Sequence, residues 1–486
     1  MYSGFAYFVY FAGNILKLHC VRRQFALIYS LSVSDNLHPT VMKFGGTSVG
    51  DVAAFERVFH IVSTQIERHP VVVVSAMTKV TDALLAAFEM AKKGEVDDAV
   101  ASLEPHFERH LTVARQFFAS GKPNAFTGEL EYAREELADL LKRVSRRSLP
   151  LSMLKDAVVS YGEQLSSRLL TEVLKAKGIK TRQVDSRRLI VTDDEYGAAQ
   201  PIWDETEKLV KLELEPLVAA GEVPIMGGFI AASRGGETTT LGRGGSDYSA
   251  ALIAAALRSS ELQIWTDVTG VMTCDPRICG EAQTIPVLSY EEAAELAYFG
   301  AKVLHPKTIK PAVDHAIPVR VCNTFEPDEI GTMVLADSAE TPNKIKSIAH
   351  KKNITILRVT SARMLGSYGF MSALFQIFER YRTVIDVVST SEVSVALTLD
   401  NTDSLEQIVT ELSRLGDVEV EPGYAVICVV GEGLRASTGL AAKVFLTIDD
   451  VNIALVSHGA SSVNLTFVIK EEFVSVVIKK LHQELF

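Results

Sequence analysis

From Val41 to about Val334, short apolar runs alternate with segments of helical periodicity. "VVVVSAM" (Val71 to Met77) is continuously apolar and of strand length, which fits a strand buried on both faces. "VPIMGGFIA", "LQIWTDV" and "IPVRVCN" read the same way, as buried strands. Between the runs lie amphipathic segments such as "DYSAALIAAAL" and "YEEAAELAYFGAKVL". Strands alternating with helices predict an α/β fold with a mainly parallel sheet. In such sheets ligands gather beyond the carboxyl ends of the strands, where the glycine-rich runs of this chain fall. The stretch from about Asp82 to Lys155 is charged, has few turn signals and predicts helices. Within it, "HFERH" (His106 to His110) puts two histidines on one helix face. Phe107 stands where a zinc protease has glutamate, so we read a solvated helix face.

The texture changes after "DSAETPNK" (Asp337 to Lys344), a polar stretch containing Pro342. Beyond it, "TVIDVVSTSEVSVALTL" and "VNIALVSHGASSVNLTFVI" resemble each other. Each reads as strand, serine-bearing turn and strand, and each follows a helical segment. This is an internal repeat of a β-α-β-β unit, the mark of a duplicated α+β module. The predicted organisation is an extension over 1–39, a catalytic-type α/β domain over 40–336 and a linker over 337–349. Two small modules follow, over 350–423 and 424–486. "VICVVGEGLRA" approaches a dinucleotide fingerprint, but the second repeat already uses its strand and helix, so a tight strand-to-helix turn is expected.

Composition narrows the partners. A formal charge of −11 argues against nucleic acid, whose binding rests on basic surface. The extension opens "MYSGFAYFVYFAGNIL", followed by Lys17, His19, Arg22 and Arg23. A signal peptide carries its charges before the apolar run, and this run is shorter than the ~20 residues that span a bilayer. We therefore expect a disordered extension or an upstream start, with no membrane contact and a cytoplasmic location. The five cysteines are odd in number and scattered, as in a reducing compartment. Cys274 and Cys279 are the one close pair, and a zinc site would need a second, so no metal site is expected.

Two clusters carry chemistry. In "VMKFGGTSVG", Lys43 precedes Gly45 and Gly46 and two hydroxyl residues, the reverse of the usual phosphate loop. A cation at a strand end, with backbone N–H groups that no Cβ obstructs, suits a transferring phosphoryl group. In "TTLGRGGSDYSAAL", Arg243 sits among Gly242, Gly244 and Gly245, and Ser246 and Asp247 open a helix. That set suits a carboxylate and an ammonium group. Glu163, in "SYGEQLSSRLL", is a further acid at a helix start. Lysine for phosphate, arginine for carboxylate and acids for an amine together indicate an amino acid phosphorylated by ATP. The residues alone leave open which amino acid it is.

With "VVVVSAMTKVTDALL", "IWTDVTGVMTCDPR" and "FGAKVLHPKTI", these motifs stand in the order found in the amino-acid kinase family. Within it the chain resembles the aspartate kinases, and its tail resembles their paired ACT domains of the monofunctional, lysine-sensitive type. The resemblance implies an amino-acid kinase sheet sandwiched by helices, followed by two ACT modules of βαββαβ form. The modules can be nested in the family, with "IKSIAHKKN" lending a strand to the second. Lys43, Arg243 and Asp247 are implied to be catalytic. Aspartate is implied to contact Thr81, Glu163, Arg243, Ser246 and Asp247. ATP, with Mg²⁺, is implied to contact Lys43, Gly45, Gly46, Ser75, Thr266, Asp267, Met272, Arg277, Lys302 and Val303; Met272 stands where the family often has tyrosine. Lysine is implied to inhibit through Met364, Ser367, Ile385, Asp386, Thr390, Ser391 and Glu392, with Asp386 and Glu392 holding its ammonium groups. The resemblance also implies a homodimer or homotetramer through the ACT modules. The competing expectations are another member of the same family, or an amino-acid sensor whose kinase domain is inactive.

Overall fold

The computed structural model describes residues 38–118, 125–300, 304–336 and 345–486. The expected extension therefore lies almost wholly outside the described residues, as do the first eight residues of the expected linker.

Among the described residues, eleven strands precede residue 337: β1 (Thr40–Phe44), β2 (Val71–Val74), β3 (Thr181–Gln183), β4 (Val191–Thr192), β5 (Val223–Gly227), β6 (Ile230–Ser233), β7 (Thr238–Thr240), β8 (Glu261–Thr266), β9 (Val287–Ser289), β10 (Val319–Asn323) and β11 (Thr332–Leu335). The main sheet has the order β3-β5-β2-β1-β8-β10-β11-β9. It is parallel from β3 to β10, and β11 runs antiparallel to β10. β2 shows why its valines form a central strand. Val71 and Val73 enter the core on one face, and Val72 and Val74 enter the core on the other. Burying each such side chain contributes about 1.5–3 kcal/mol, and both faces are covered by helices. The helices Val80–Lys92, Val96–Phe117, Ala125–Arg146, Leu151–Val159 and Tyr161–Ala176 supply one cover. The helices Trp203–Ala219, Gly245–Ala256 and Pro306–Asp314 belong to the other.

Two expectations are corrected here. "VPIMGGFIA" is two strands in different sheets: β5 ends at Gly227, and β6 joins β4 and β7 in a small separate sheet. The chain turns because Gly228 N–H donates to Val74 C=O and Phe229 takes a left-handed φ of 67°. "HFERH" is also not a solvated face. His110 is buried in the helix Val96–Phe117, stacks on Phe126 and bonds the carbonyl of His106 through Nδ1. Burial pushes its pKa down to about 4, so it stays neutral.

The tail forms a six-stranded antiparallel sheet from β12 (Ile345–Thr360), β13 (Val388–Thr390), β14 (Ser394–Leu399), β15 (Asp417–Gly431), β16 (Ile453–His458) and β17 (Asn464–Lys470). Its order, β13-β14-β12-β15-β17-β16, makes the repeat visible as two halves meeting at the β12–β15 pair. The helices Phe370–Arg380 and Leu405–Leu412 pack on one half, and Leu440–Thr447 and Val474–Leu485 on the other. β12 crosses the 349/350 division and β15 the 423/424 division. Ile348 of β12 packs in the second module's core, whereas Leu357 and Val359 of the same strand pack in the first. The expected glycine turn after β15 is present, with Gly433 in the left-handed region.

Candidate active site

The carboxyl ends of β1, β2 and β5 and the N-terminus of the helix Gly245–Ala256 open onto one cleft of about 400 Å³. Lys43, Gly46, Ser75, Thr81, Glu163, Ser246 and Asp247 all line it. Residues from four separate motifs, more than 200 positions apart at the extremes, thus converge on one volume.

Each is placed by its backbone. Lys43 is the fourth residue of β1, on the face opposite Met42 and Phe44, and its ammonium lies 2.7 Å from Asp247 Oδ1. The chain then leaves the strand through Gly45, whose N–H donates to Trp265 C=O on neighbouring β8. A Cβ on Gly46 would stand 2.9 Å from Ala76 C=O, so only glycine lets the first and second strand ends approach this closely. Thr78 Oγ1 donates to Gly46 C=O at 2.8 Å, and Arg109 reaches from its helix to Thr78 C=O at 2.5 Å. Gly245, Ser246 and Asp247 form the first turn of their helix, whose free N–H groups favour an anion.

Glu163 is the most buried of the three acids that line the cleft. It is 3% exposed, its Oε1 accepts from Ala76 N–H at 3.1 Å, and Oε2 is buried with no hydrogen-bond partner. Burial raises its pKa to about 8, against the opposing pull of the Ala76 N–H and the Lys43 ammonium. A buried carboxyl with one oxygen unused can accept a hydrogen bond from a small donor group in the cleft.

Several features were not read from the sequence. Gly227 ends β5 and Gly228 follows it, much as Gly45 and Gly46 follow β1. A Cβ on Gly228 would lie 2.7 Å from Ser246 Cα and 3.0 Å from Val73 Cγ1. The paired glycines after an apolar run were the signal, and they were absorbed into a strand. Gly228→Ala lowers the unfolding free energy by ~1–3 kcal/mol, as overpacking does, because backbone of a helix start must move. Denaturant titration checks this; a variant as stable as wild type contradicts the spacing role. Phe229 and Lys79 also line the cleft, both in left-handed conformations that a sequence pattern does not signal.

Other expected residues stand elsewhere. Arg243 is exposed, between Gly242 and Gly244, which line the cleft while its own side chain does not. Both glycines are left-handed, which turns the loop backbone inward and leaves the guanidinium outside. Thr266 and Asp267 sit at the end of β8, bonded to each other at 3.2 Å. Met272 and Arg277 belong to the following loop and do not line the cleft. Met272 bridges to Thr284, and Arg277, 88% exposed in its side chain, is held by Asp275. Lys302 and Val303 lie outside the described residues.

Among the expected effector residues, Ser367, Thr390, Ser391 and Glu392 are exposed, and Met364 and Ile385 are half-buried. Asp386 differs. Its carboxylate is 1% exposed and already accepts from Tyr298 Oη at 2.5 Å and Lys351 Nζ at 3.0 Å. In this arrangement it is an internal ion-pair partner rather than an open receptor for an ammonium group.

Comparison with known proteins places the whole chain. Residues 39–323 match the model of the amino acid kinase family, and residues 427–485 match an ACT domain. Lysine-sensitive aspartokinase 3 of Escherichia coli (strain K12) is 39% identical over 458 residues, which is 92% of this chain and 99% of that protein. The structure resembles E. coli aspartokinase III in complex with aspartate and ADP (R-state), with a TM-score of 0.77 and 38% identity, over 92% of this chain and 100% of the other. It also resembles that enzyme in complex with lysine and aspartate (T-state), with a TM-score of 0.79 and 38% identity, over 92% of this chain and 99% of the other.

Proposed function

The chain belongs to the aspartokinases of the amino acid kinase family, and on that premise we propose how its cleft phosphorylates aspartate. The γ-phosphoryl group of ATP passes to the side-chain carboxylate of L-aspartate, giving 4-phospho-L-aspartate and ADP. One carboxylate oxygen forms the new bond to phosphorus as the bond to the β,γ-bridging oxygen breaks. The acceptor is already ionised at neutral pH, so no general base is required. None of the lining residues is a histidine, which agrees with such a reaction. What remains is positioning and charge stabilisation.

Lys43 carries the transferring group. Asp247 neutralises it across the cleft; phosphate oxygens take that role when the nucleotide is bound. Gly46 and Ser75 line the phosphate path, Gly45, whose N–H is held by Trp265 C=O, shapes the turn beside it, and Thr266, Asp267, Met272, Arg277, Lys302 and Val303 serve the rest of the nucleotide. Aspartate's ammonium meets Glu163, with Thr81, Ser246 and Asp247 around the substrate, and Arg243 folds inward to a carboxylate. The three lining carboxylates form no dedicated cation cage: Asp247 is tied to Lys43, Glu163 is buried and Asp82 is exposed. Mg²⁺ would accompany ATP, held largely by phosphates and water, and would supply neutralisation of the phosphate charge.

Lysine inhibits through the first ACT module, at Met364, Ser367, Ile385, Asp386, Thr390, Ser391 and Glu392, once Asp386 exchanges its internal partners for the effector. Copies of the chain associate through these modules as a dimer or tetramer. The location is cytoplasmic; among the described residues no helix is long and apolar enough to cross a membrane.

The observation that carries this reading is the convergence of Lys43, Glu163 and Asp247 on one cleft. ADP release, measured with aspartate, glutamate and acetylglutamate as acceptors and with added lysine or threonine, tests it. We expect turnover with aspartate alone, depressed by lysine. Lysine binding without turnover points to an inactive sensor, and inhibition by threonine alone overturns the effector assignment.

A further inference from the structure

By spacing alone, Cys274 and Cys279 lack companions. The fold brings one from the far end of the chain: His482, on the helix Val474–Leu485 of the second ACT module. The ligand atoms of all three residues lie within 4.8 Å of one another, and all three residues are buried. None of them lines the cleft. His482 Nδ1 stands 3.5 Å from Cys279 Sγ. Zinc–sulfur bonds of about 2.3 Å and zinc–nitrogen bonds of about 2.0–2.1 Å, at tetrahedral angles, separate neighbouring S and N ligands by about 3.5 Å.

The imidazole is also oriented from behind. Nε2 meets Thr273 Oγ1 at 2.9 Å, and the same oxygen accepts from Gln283 N–H at 3.0 Å. With the proton on Nε2 and Thr273 accepting it, Nδ1 presents its lone pair to the sulfurs. Hydrogen bonds of this kind orient metal-binding histidines. The surroundings are apolar, with Ile348, Leu434 and Leu481 in the same cluster as the two cysteines. An isolated charge is costly there, but Zn²⁺, two thiolates and a neutral imidazole sum to zero.

We propose that Cys274, Cys279 and His482 bind one zinc ion, which pins the last helix of the regulatory tail to the loop between β8 and β9 of the kinase domain. Binding replaces two S–H bonds with two Zn–S bonds and releases two protons to solvent; water takes the fourth position.

The test uses the full chain, without a metal-binding tag, exposed to Zn²⁺ and then dialysed. Elemental analysis is expected to find one zinc per chain. Co²⁺ in its place gives a sulfur-to-cobalt charge-transfer band and the visible bands of a tetrahedral ion. Cys279→Ser and His482→Gln, with folding confirmed by circular dichroism, each lose the stoichiometric metal. The cobalt spectrum of the wild type tests the site even if a variant fails to fold. Substoichiometric metal with no charge-transfer band overturns the proposal. So does metal retained in both variants, or a Cys274–Cys279 disulfide found by mass spectrometry in place of metal.

Discussion

Lys43→Ala lowers kcat at least ~10²-fold and leaves a folded protein. Loss of one preorganised charge at a transition state costs on this order. Three observations place Lys43 where such a loss is felt. It lies at the carboxyl end of a central strand, its side chain is only 12% exposed, and its ammonium pairs with Asp247 across the cleft. The backbone of β1 does not depend on the ammonium, since Val41, Met42 and Phe44 supply the buried surface. Asp247 loses its partner in the variant, but it sits in the first turn of a helix, where an acid is favoured. Lys43→Arg does not restore the rate, because a planar guanidinium cannot replace a compact point charge in a cleft shaped by glycines. Steady-state kinetics and circular dichroism on both variants check this. Turnover near wild type in Lys43→Ala refutes the assigned role.

Glu163→Gln has two large effects of opposite sign. The substrate ammonium draws Glu163 into its ionised form, and glutamine cannot supply that charge, so the KM for aspartate rises on the order of 10²-fold, as when one partner of a desolvated charge pair is lost. The empty protein, in contrast, becomes more stable at high pH. Glu163 has its pKa raised from 4.5 to about 8 by burial. The folded state therefore holds a proton that the unfolded state has released, and wild-type stability falls as pH rises between those two values. Glutamine never ionises. The variant and wild type should match near pH 4, separate across that window, and differ by a few kcal/mol above pH 8. Thermal denaturation across pH, without ligand, is the measurement. A variant less stable than wild type at pH 9 rules out a buried, neutralised carboxyl at this position.

The local pattern carried the sheet and the repeat. Four consecutive valines with both faces buried can hardly form anything but a central strand, and two similar halves of a tail declare themselves by alignment. It also carried most of the cleft, because glycines beside a lysine or before a helix mark places where backbone approaches a ligand. Facts that depend on distant segments were not legible. Gly228 looks like a strand residue until Ser246 is seen against it. Arg243 looks like an inward cation until two left-handed glycines turn it out. His110 looks solvent-facing until Phe126, on the next helix, covers it. Asp386 looks like an open receptor until Tyr298 and Lys351 occupy it. His482 lies 203 positions from Cys279, and no spacing rule joins them.

The strands β12 and β15 each run through both halves of the tail, and their hydrophobic residues serve two cores. A protein engineer who swaps only one half for that of a relative would cut both ribbons in mid-length and strand apolar faces in water. Ile345 to Phe486 is thus the smallest piece that can be transplanted intact.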